Sequence, residues 1–421
     1  MREMKNSGIA WIGAIPRDWH LSKIGSLYTQ RNEKVSDKDY QPLSVTMQGV
    51  LPQLATAAKT DDGDNRKLVR VGDFAINSRS DRRGSCGISP LDGSVSLINI
   101  ILTPRTAMHP GYYNWLFHTT LFADEFYKWG HGIVADLWTT RWQEMKSISV
   151  PVPEYAEQER IAAFLDAECA EIDAVLEKTR ASIEEYKKLK QAVITQAVTK
   201  GIRGDRPLKD SGIEWIGEIP KEWDCKKVKY VTSISRGIFN HRPRNDERYY
   251  GGEYPFIQTG DVAGAQKYIE SYSQTLNELG KSVSKCFPQG TLTMTIAANV
   301  GDAAILGFDA FFPDSVVGFI PNADINDEYL YYIFKAMKPE FVRTAIKSTQ
   351  LNLNVERIRD LFVPVVAQKS EQLEIAEYLN TKCADIDALI AKKQQYLTEI
   401  ENYKKSLIYE YVTGKKEVHP L

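Results

Sequence analysis

The side chains here whose grouping could do chemistry are arginines, hydroxyls and amides, and that chemistry is hydrogen bonding rather than bond breaking. Asn77-Ser78-Arg79-Ser80-Asp81-Arg82-Arg83-Gly84-Ser85 puts three arginines, small hydroxyls and an asparagine within nine residues. A guanidinium fork matches the acceptor edge of guanine, and the shorter polar groups donate to phosphate oxygens. A second cluster runs from Arg236 to Arg244, with Arg242 between them and Thr259-Gly260-Asp261 and Asn299 downstream. Late polar clusters follow each set: His131-Gly132 and Thr139-Thr140-Arg141, then Ser348-Thr349-Gln350-Leu351-Asn352. The candidate DNA contacts are therefore Asn77, Arg79, Ser80, Arg82, Arg83, His131 and Arg141 in the first set. In the second they are Arg236, Arg242, Arg244, Thr259, Asn299, Gln350 and Asn352. Any one such patch is ordinarily a solvated loop. Their recurrence in two long segments is what points to nucleic acid.

Catalytic patterns are missing. No glycine-rich turn of the kind that cradles a nucleotide or S-adenosylmethionine follows a strand. Nor is there an Asn/Asp-Pro-Pro-aromatic tetrapeptide of the kind that grips a flipped base. Gly280-Lys281-Ser282 approaches a phosphate loop, but Thr275 stands where its first glycine is required. Pro313-Asp314 lacks the Glu-x-Lys that a metal nuclease needs. The six histidines have no ligand spacing, and the five cysteines (Cys86, Cys169, Cys225, Cys286, Cys383) include no CxxC. The chain reads as a binder with no catalytic group, metal or cofactor of its own.

Composition bounds the class. At 421 residues, 43% hydrophobic and 26% charged, it describes a globular chain with room for two to four domains. No apolar run approaches a membrane span, the first residues lack a signal-peptide pattern, and unpaired cysteines suit a reducing, cytoplasmic setting. A net charge of −2 argues against a protein that coats nucleic acid non-specifically, so DNA contacts must come from local patches or from partners that complete the positive surface.

What must position the clusters is a frame written twice. Residues 7–24 (SGIAWIGAIPRDWHLSKI) and 211–228 (SGIEWIGEIPKEWDCKKV) share ten of eighteen positions, including Trp11/Trp215 and Trp19/Trp223, which are expected to anchor cores. Residues 157–174 and 371–388 again share ten of eighteen. The inserts between them lack comparable similarity. The second copy stops after Val412-Thr413-Gly414-Lys415, and what would continue it is the beginning of the chain. The termini are therefore expected close together, as in a ring cut at one junction.

The second repeat opens two long helices. Leu165, Ile172, Leu176, Ile183 and Val193 lie on a seam of alternating four- and three-residue steps, and Leu379, Ile386, Ile390, Leu397 and Leu407 repeat it. About 43 residues give a helix of about 65 Å, with Gly201 and Gly414 at the stops. Acids crowd the first half of each helix and lysines the last, so antiparallel pairing sets acid against base.

The inserts mix strand-like runs (67–70, 73–77, 95–102; 254–258, 291–296, 303–306) with a helical stretch (112–128; 328–345) and a final Val-Pro run. The organisation expected is 1–24 frame, 25–150 first insert domain, 151–201 long helix, 202–228 linker and repeated frame, 229–362 second insert domain, and 363–421 long helix. The fold class is α+β: two mixed α/β domains joined by an antiparallel coiled coil with internal pseudo-two-fold symmetry.

Paired SGI-x-WIG-x-IP-x-x-W segments, Val-Pro-Val-Pro before Glu157-Gln158, Ile161-Ala162-x-Phe164-Leu165-Asp166, and the AVT-x-G and YVTGK endings resemble the specificity subunit of type I restriction–modification enzymes. The resemblance covers the whole chain. It implies two target-recognition domains, each reading half of a split, asymmetric double-stranded DNA site. It also implies a coiled coil that spaces the halves and docks two modification (methyltransferase) subunits. These bring S-adenosylmethionine, while restriction (motor/nuclease) subunits use ATP and Mg; the specificity subunit is not itself an enzyme. Val366-Ala367-Gln368-Lys369 departs from the proline-rich pattern of the first copy, so the pattern does not fix the entry angle of the second helix. Two other readings stand beside this one: a coiled-coil scaffold whose inserts bind proteins, and a DNA-modifying enzyme with a degenerate motif.

Overall fold

A computed structural model of the chain describes residues 2–53, 62–132, 138–242, 244–297, 299–347 and 351–418. It separates into two compact units, Met1–Arg180 with Gln394–Leu421, and Ala181–Lys393. Both follow one α+β plan in frame, main sheet and long helices.

In the N-terminal unit the frame opens as a hairpin, Met4–Asn6 against Ala14–Pro16. Strand His20–Lys23 then pairs with Ser149–Val152, which leads into the long helix. The main sheet has the order Cys86–Ile88, Phe74–Asn77, Asn99–Pro104, Tyr28–Arg31, all antiparallel. In the other unit the hairpin is Leu208–Asp210 with Glu218–Pro220, and Asp224–Lys227 pairs with Phe362–Val365. Its main sheet runs Tyr268–Ile269, Ala303–Leu306, Leu292–Thr295, Val316–Pro321, Thr232–Arg236. The added edge strand, Tyr268–Ile269, is parallel to its neighbour.

The same hydrogen bonds close both plans although the inserts read differently. His109 caps helix Pro110–Phe117, and Tyr112 sends its hydroxyl to the Pro151 carbonyl (3.4 Å) and the Val412 carbonyl (2.8 Å). Asn326 caps helix Asp327–Thr344, and Tyr329 reaches the Pro364 carbonyl (3.5 Å). Gln158 accepts from the His109 amide (3.0 Å) and Gln372 from the Asn326 amide (2.8 Å). An unpaired hydroxyl is costly to bury, and the Val-Pro strand supplies Tyr112 and Tyr329 with a partner in each unit.

The cores form where frame, sheet and long helices meet. Trp11, Trp19 and Trp223 are buried, and Trp215 is half-buried with its indole N–H on the Phe362 carbonyl (3.1 Å). Trp19 shares one core with Phe74, Tyr112, Leu165 and Leu407, and Trp223 another with Leu292, Phe319, Tyr329 and Leu379. The helix stops sit against the frames. Gly201 and Gly414 both have positive φ (75° and 70°). A Cβ on Gly414 would come within 2.5 Å of Pro16, and one on Gly201 within 3.3 Å of Trp223. Lys415 donates to the Ile12 carbonyl (2.6 Å), so the beginning and end of the chain meet.

The long helices span Tyr155–Lys200 (46 residues) and Lys369–Val412 (44 residues) and run antiparallel within each unit. In the N-terminal unit Phe164 lies on Tyr411 (4.4 Å between ring centroids), Lys404 pairs with Asp173 (2.6 Å) and Arg180 with Glu401 (2.6 Å). In the other, Lys190 pairs with Asp387 (2.6 Å). These ion pairs are exposed, so they set register and direction more than stability. Of the seam residues, Leu165, Leu176, Ile183, Leu379, Ile386 and Leu407 are buried, and Ile172, Val193, Ile390 and Leu397 are half-buried.

Two local expectations are corrected. The run 95–102 is two strands, Gly93–Val95 and Asn99–Pro104, because Asn99 turns the chain by bonding the Ser96 carbonyl from its amide N–H and side chain (3.0 Å each). The stretch 112–128 is two helices, because Thr119 accepts from the Phe122 amide (3.2 Å) and starts Thr120–Lys128 afresh. Helix two begins at Lys369 as helix one begins at Tyr155, each two residues before its Glu-Gln pair. The missing proline changes nothing, because Gln372 donates to the Val366 carbonyl (2.8 Å) as Gln158 does to Pro153 (2.8 Å).

Candidate nucleic-acid interface

In the N-terminal unit the arginine cluster forms the loop between two neighbouring strands of the main sheet, Phe74–Asn77 and Cys86–Ile88. Asn77 is buried at its root and accepts from the Arg79 amide (3.0 Å), so it shapes the loop rather than facing a ligand. Buried Tyr127 holds the loop from behind, donating to the carbonyls of Asn77 (2.9 Å) and Arg82 (3.2 Å). The late cluster closes alongside: the Ser80 amide bonds Trp138 (2.9 Å), the Thr140 amide bonds Ser78 (2.9 Å), and Thr139 bridges both Arg79 and His131. The structure thus brings together Arg79, Ser80, His131 and Arg141, far apart in sequence.

Charge separates the arginines. Arg79 and Arg82 share Asp81 (3.5 and 3.8 Å), and Arg83 pairs with Asp124. Arg141, exposed ahead of helix Trp142–Met145, has no ion pair among the described residues. Arg79 and Arg141 line an open cleft of about 530 Å³ with Gln30, Lys67, Leu97 and Ile98. Burial lowers the pKa of Lys67, which donates to the Asn99 carbonyl (2.7 Å).

In the second unit Arg236, Arg242 and Arg244 converge on one residue, Asp314. Arg236 bonds its carbonyl, Arg244 its carboxylate, and Arg242 lies 3.6 Å from the other oxygen. Arg242 also donates to the carbonyls of Phe239 (2.7 Å) and His241 (2.8 Å). The loop is pinned by His241, stacked on Tyr249 (3.9 Å, 20°) and bonded to Asp246 (3.0 Å). The Arg248 guanidinium, with help from His241, holds the Asp246 carboxyl well below the usual carboxylate range. Asn299 lies exposed in the turn joining Leu292–Thr295 to Ala303–Leu306. The Leu353 amide bonds the Ile296 carbonyl at the root of that turn (2.9 Å). Gln350 lies outside the described residues; Asn352 is in the strand Leu351–Asn352. Thr259 belongs elsewhere: it opens helix Thr259–Gly264, which Asp261 caps through the Gln258 amide (2.7 Å), and no hydrogen bond among the described residues ties it to this set.

Both groups occupy the same end of their sheets. Asn77 pairs with Asn99, while Thr295 pairs with Val316 and Arg236 with Val317. Ser78 donates to the Ile98 carbonyl (3.3 Å) as Ile296 does to Ser315 (3.0 Å), so Leu97-Ile98 and Asp314-Ser315 are equivalent corners. Sequence reasoning missed Leu97, Ile98, Lys67, Tyr127 and the shared role of Asp314. Leu97-Ile98 was concealed in an apolar run that looked like one strand. Among the described residues no group of three or more His, Cys, Asp or Glu could hold a metal ion, and no helix is long and apolar enough to cross a membrane.

These features define a duplicated α+β scaffold: one frame, two long helices, and two unlike polar corners at matching sheet ends. Residues 220–401 match the type I restriction modification DNA specificity domain. The chain is 30% identical over 187 residues to the type I restriction enzyme MjaIX specificity subunit of Methanocaldococcus jannaschii, covering 43% of this chain and 41% of that one. It is 25% identical over 289 residues to the MjaVIII specificity subunit of the same organism, covering 66% and 64%. The matched stretches thus span less than two thirds of these relatives. A chain from a solved type I R-M system superposes with a TM-score of 0.75 at 14% identity, covering 96% of this chain and 99% of that one. The HsdS subunit from Thermoanaerobacter tengcongensis does so with a TM-score of 0.52 at 16% identity, covering 96% and 98%. At these identities the superpositions speak for the fold. The chain is thus similar, over residues 220–401 and in these relatives, to type I restriction–modification specificity subunits.

Proposed function

We propose that this chain is the DNA-reading subunit of a type I restriction–modification complex, with each unit reading one half of a bipartite, asymmetric site. The observation that carries this reading is the pair of unlike corners at one sheet end on a repeated frame. Arg79 and Arg141 stand beside apolar residues in one unit, and three arginines gather on Asp314 in the other. Guanidinium groups supply both phosphate neutralisation and bidentate donors for guanine, and different neighbours give different preferences. Unlike corners call for a non-palindromic site. The long helices dock two modification subunits and, through them, restriction subunits. S-adenosylmethionine, ATP and Mg act on those partners, and this chain contributes no catalytic group.

Exchange of residues 25–150 for the matching segment of a relative tests the reading. Mapping methylated adenines in cells carrying the chimera should show one half-site changed and the other kept. A change in both halves would remove independent reading. Absence of salt-sensitive DNA binding with partner subunits present would favour a protein-binding scaffold.

A further inference from the structure

We propose that Leu97 and Ile98 form an apolar contact for the 5-methyl group of a thymine in the half-site read by the N-terminal unit; this rests on the DNA-reading function above. Both side chains are substantially exposed, at 39% and 40%. Single exposed aliphatics are ordinary on a protein surface. Two in succession, in a cleft whose other lining includes Arg79 and Arg141 and no carboxylate, are not explained by packing.

The pair is held rigidly. The Ile98 carbonyl accepts from the Ser78 amide (3.3 Å) and hydroxyl (2.5 Å), and Asn99 closes the turn onto the Ser96 carbonyl (3.0 Å). A backbone fixed at both ends spares the loop its own ordering cost on binding. Cationic forks beside an apolar face complement a major-groove edge with acceptors next to a methyl group. Among the four bases thymine alone carries that methyl group. The equivalent corner of the other unit is Asp314-Ser315, ringed by Arg236, Arg242 and Arg244. It is polar and offers a methyl group nothing. The same position in one plan thus carries opposite chemistry, as expected where two half-sites are told apart.

The test uses the full chain assembled with its modification subunits, on duplexes bearing the mapped site. Deoxyuridine replaces thymidine at one position at a time, deleting only the methyl group. In the half-site assigned to the N-terminal unit by exchange of residues 25–150, one replacement should weaken binding about fourfold, the fold-change of ~0.8 kcal/mol for burying one such carbon. Leu97→Ala with Ile98→Ala should bind the thymidine and deoxyuridine duplexes alike, with an unchanged thermal unfolding midpoint as the check on folding. Replacements in the other half-site should not respond to these substitutions. The inference is overturned by a half-site of G·C pairs alone, by tight binding indifferent to every replacement, or by methyl discrimination that survives the double substitution. Failure to bind the site at all would instead overturn the DNA-reading function.

Discussion

Arg206 donates to Glu371 at 2.5 Å, tying the segment after the first long helix to the first turn of the second. The equivalent pair, Arg2 and Glu157, does the same in the N-terminal unit. Each arginine has a second acid in its frame, Glu222 for Arg206 (3.3 Å) and Asp18 for Arg2 (2.5 Å). The carboxylates are buried more deeply than an exposed ion pair allows, at 7% side-chain exposure for Glu371 and 14% for Glu157. One indole differs: Trp19 donates to Glu157 (2.9 Å), whereas the Trp223 N–H finds no partner among the described residues.

Removing Arg206 leaves Glu371 buried and uncompensated. Arg206→Ala should therefore destabilise the chain by about 3 kcal/mol. Glu371→Gln should recover part of that loss in the double variant. Arg203→Ala, whose partner Glu374 is half exposed, serves as control and should leave the urea midpoint essentially unchanged. Denaturant titrations of the four proteins measure this; equal midpoints for Arg206→Ala and Arg203→Ala would contradict it.

The frame was legible because its physics is local and periodic. A Trp-rich motif, heptad steps and a charge gradient are properties of neighbouring residues, and they announce core anchors, helix and antiparallel pairing directly. The corners were legible only in part. Arg79 and Arg141 could be named from composition, but Leu97 and Lys67 reach the same cleft through sheet pairing, which leaves no short-range mark. Asn77 was misjudged because an amide that caps its own loop and one that faces a ligand look alike in sequence. Asp314 was weighed only as a nuclease fragment, since its three arginine partners lie some seventy residues away or more.

Arg79 and Arg141 should behave differently from Arg83, which Asp124 already neutralises. Arg79→Ala or Arg141→Ala should cost about 1–3 kcal/mol of DNA affinity if the fork reads a base, with discrimination relaxed at one position. A phosphate contact should instead weaken all sequences alike and lower the salt slope by about one. Arg83→Ala should have the smaller effect. Unchanged affinity and salt dependence in Arg79→Ala and Arg141→Ala would remove the cleft from the interface.

Asp314 restrains the three arginines around it and offsets part of their charge. Asp314→Asn should raise affinity for non-specific DNA and steepen the salt slope by about one, because one more phosphate is then neutralised. Discrimination in the half-site read by the second unit should fall, since the guanidinium groups lose the acceptor that aims them. Filter binding at several salt concentrations, on specific and scrambled duplexes, reads both effects. A variant with lower non-specific affinity would show that Asp314 serves only to fold the loop.

The long helices should act as a ruler, and the pairing register dictates how to test it. Asp173 faces Lys404 and Arg180 faces Glu401, so Glu177 lies opposite the turn around Ile400. Ala391, the repeat equivalent of Glu177, belongs beside Lys393, whose ammonium lies over Tyr186 at 5.6 Å. Insertions after Glu177 and Ala391 would respect the sequence repeat but slip the helices between those points. Seven residues added after Glu177 and seven after Ile400 keep both seams in phase, because one heptad restores the pattern. The addition lengthens the pair by roughly 10 Å, or about three base pairs of duplex. Methylation mapping with the lengthened protein should find the same bases in each half-site and a gap longer by about that amount. If the original gap were still preferred, the helices would not be setting the spacing, and their part in the complex would be docking alone.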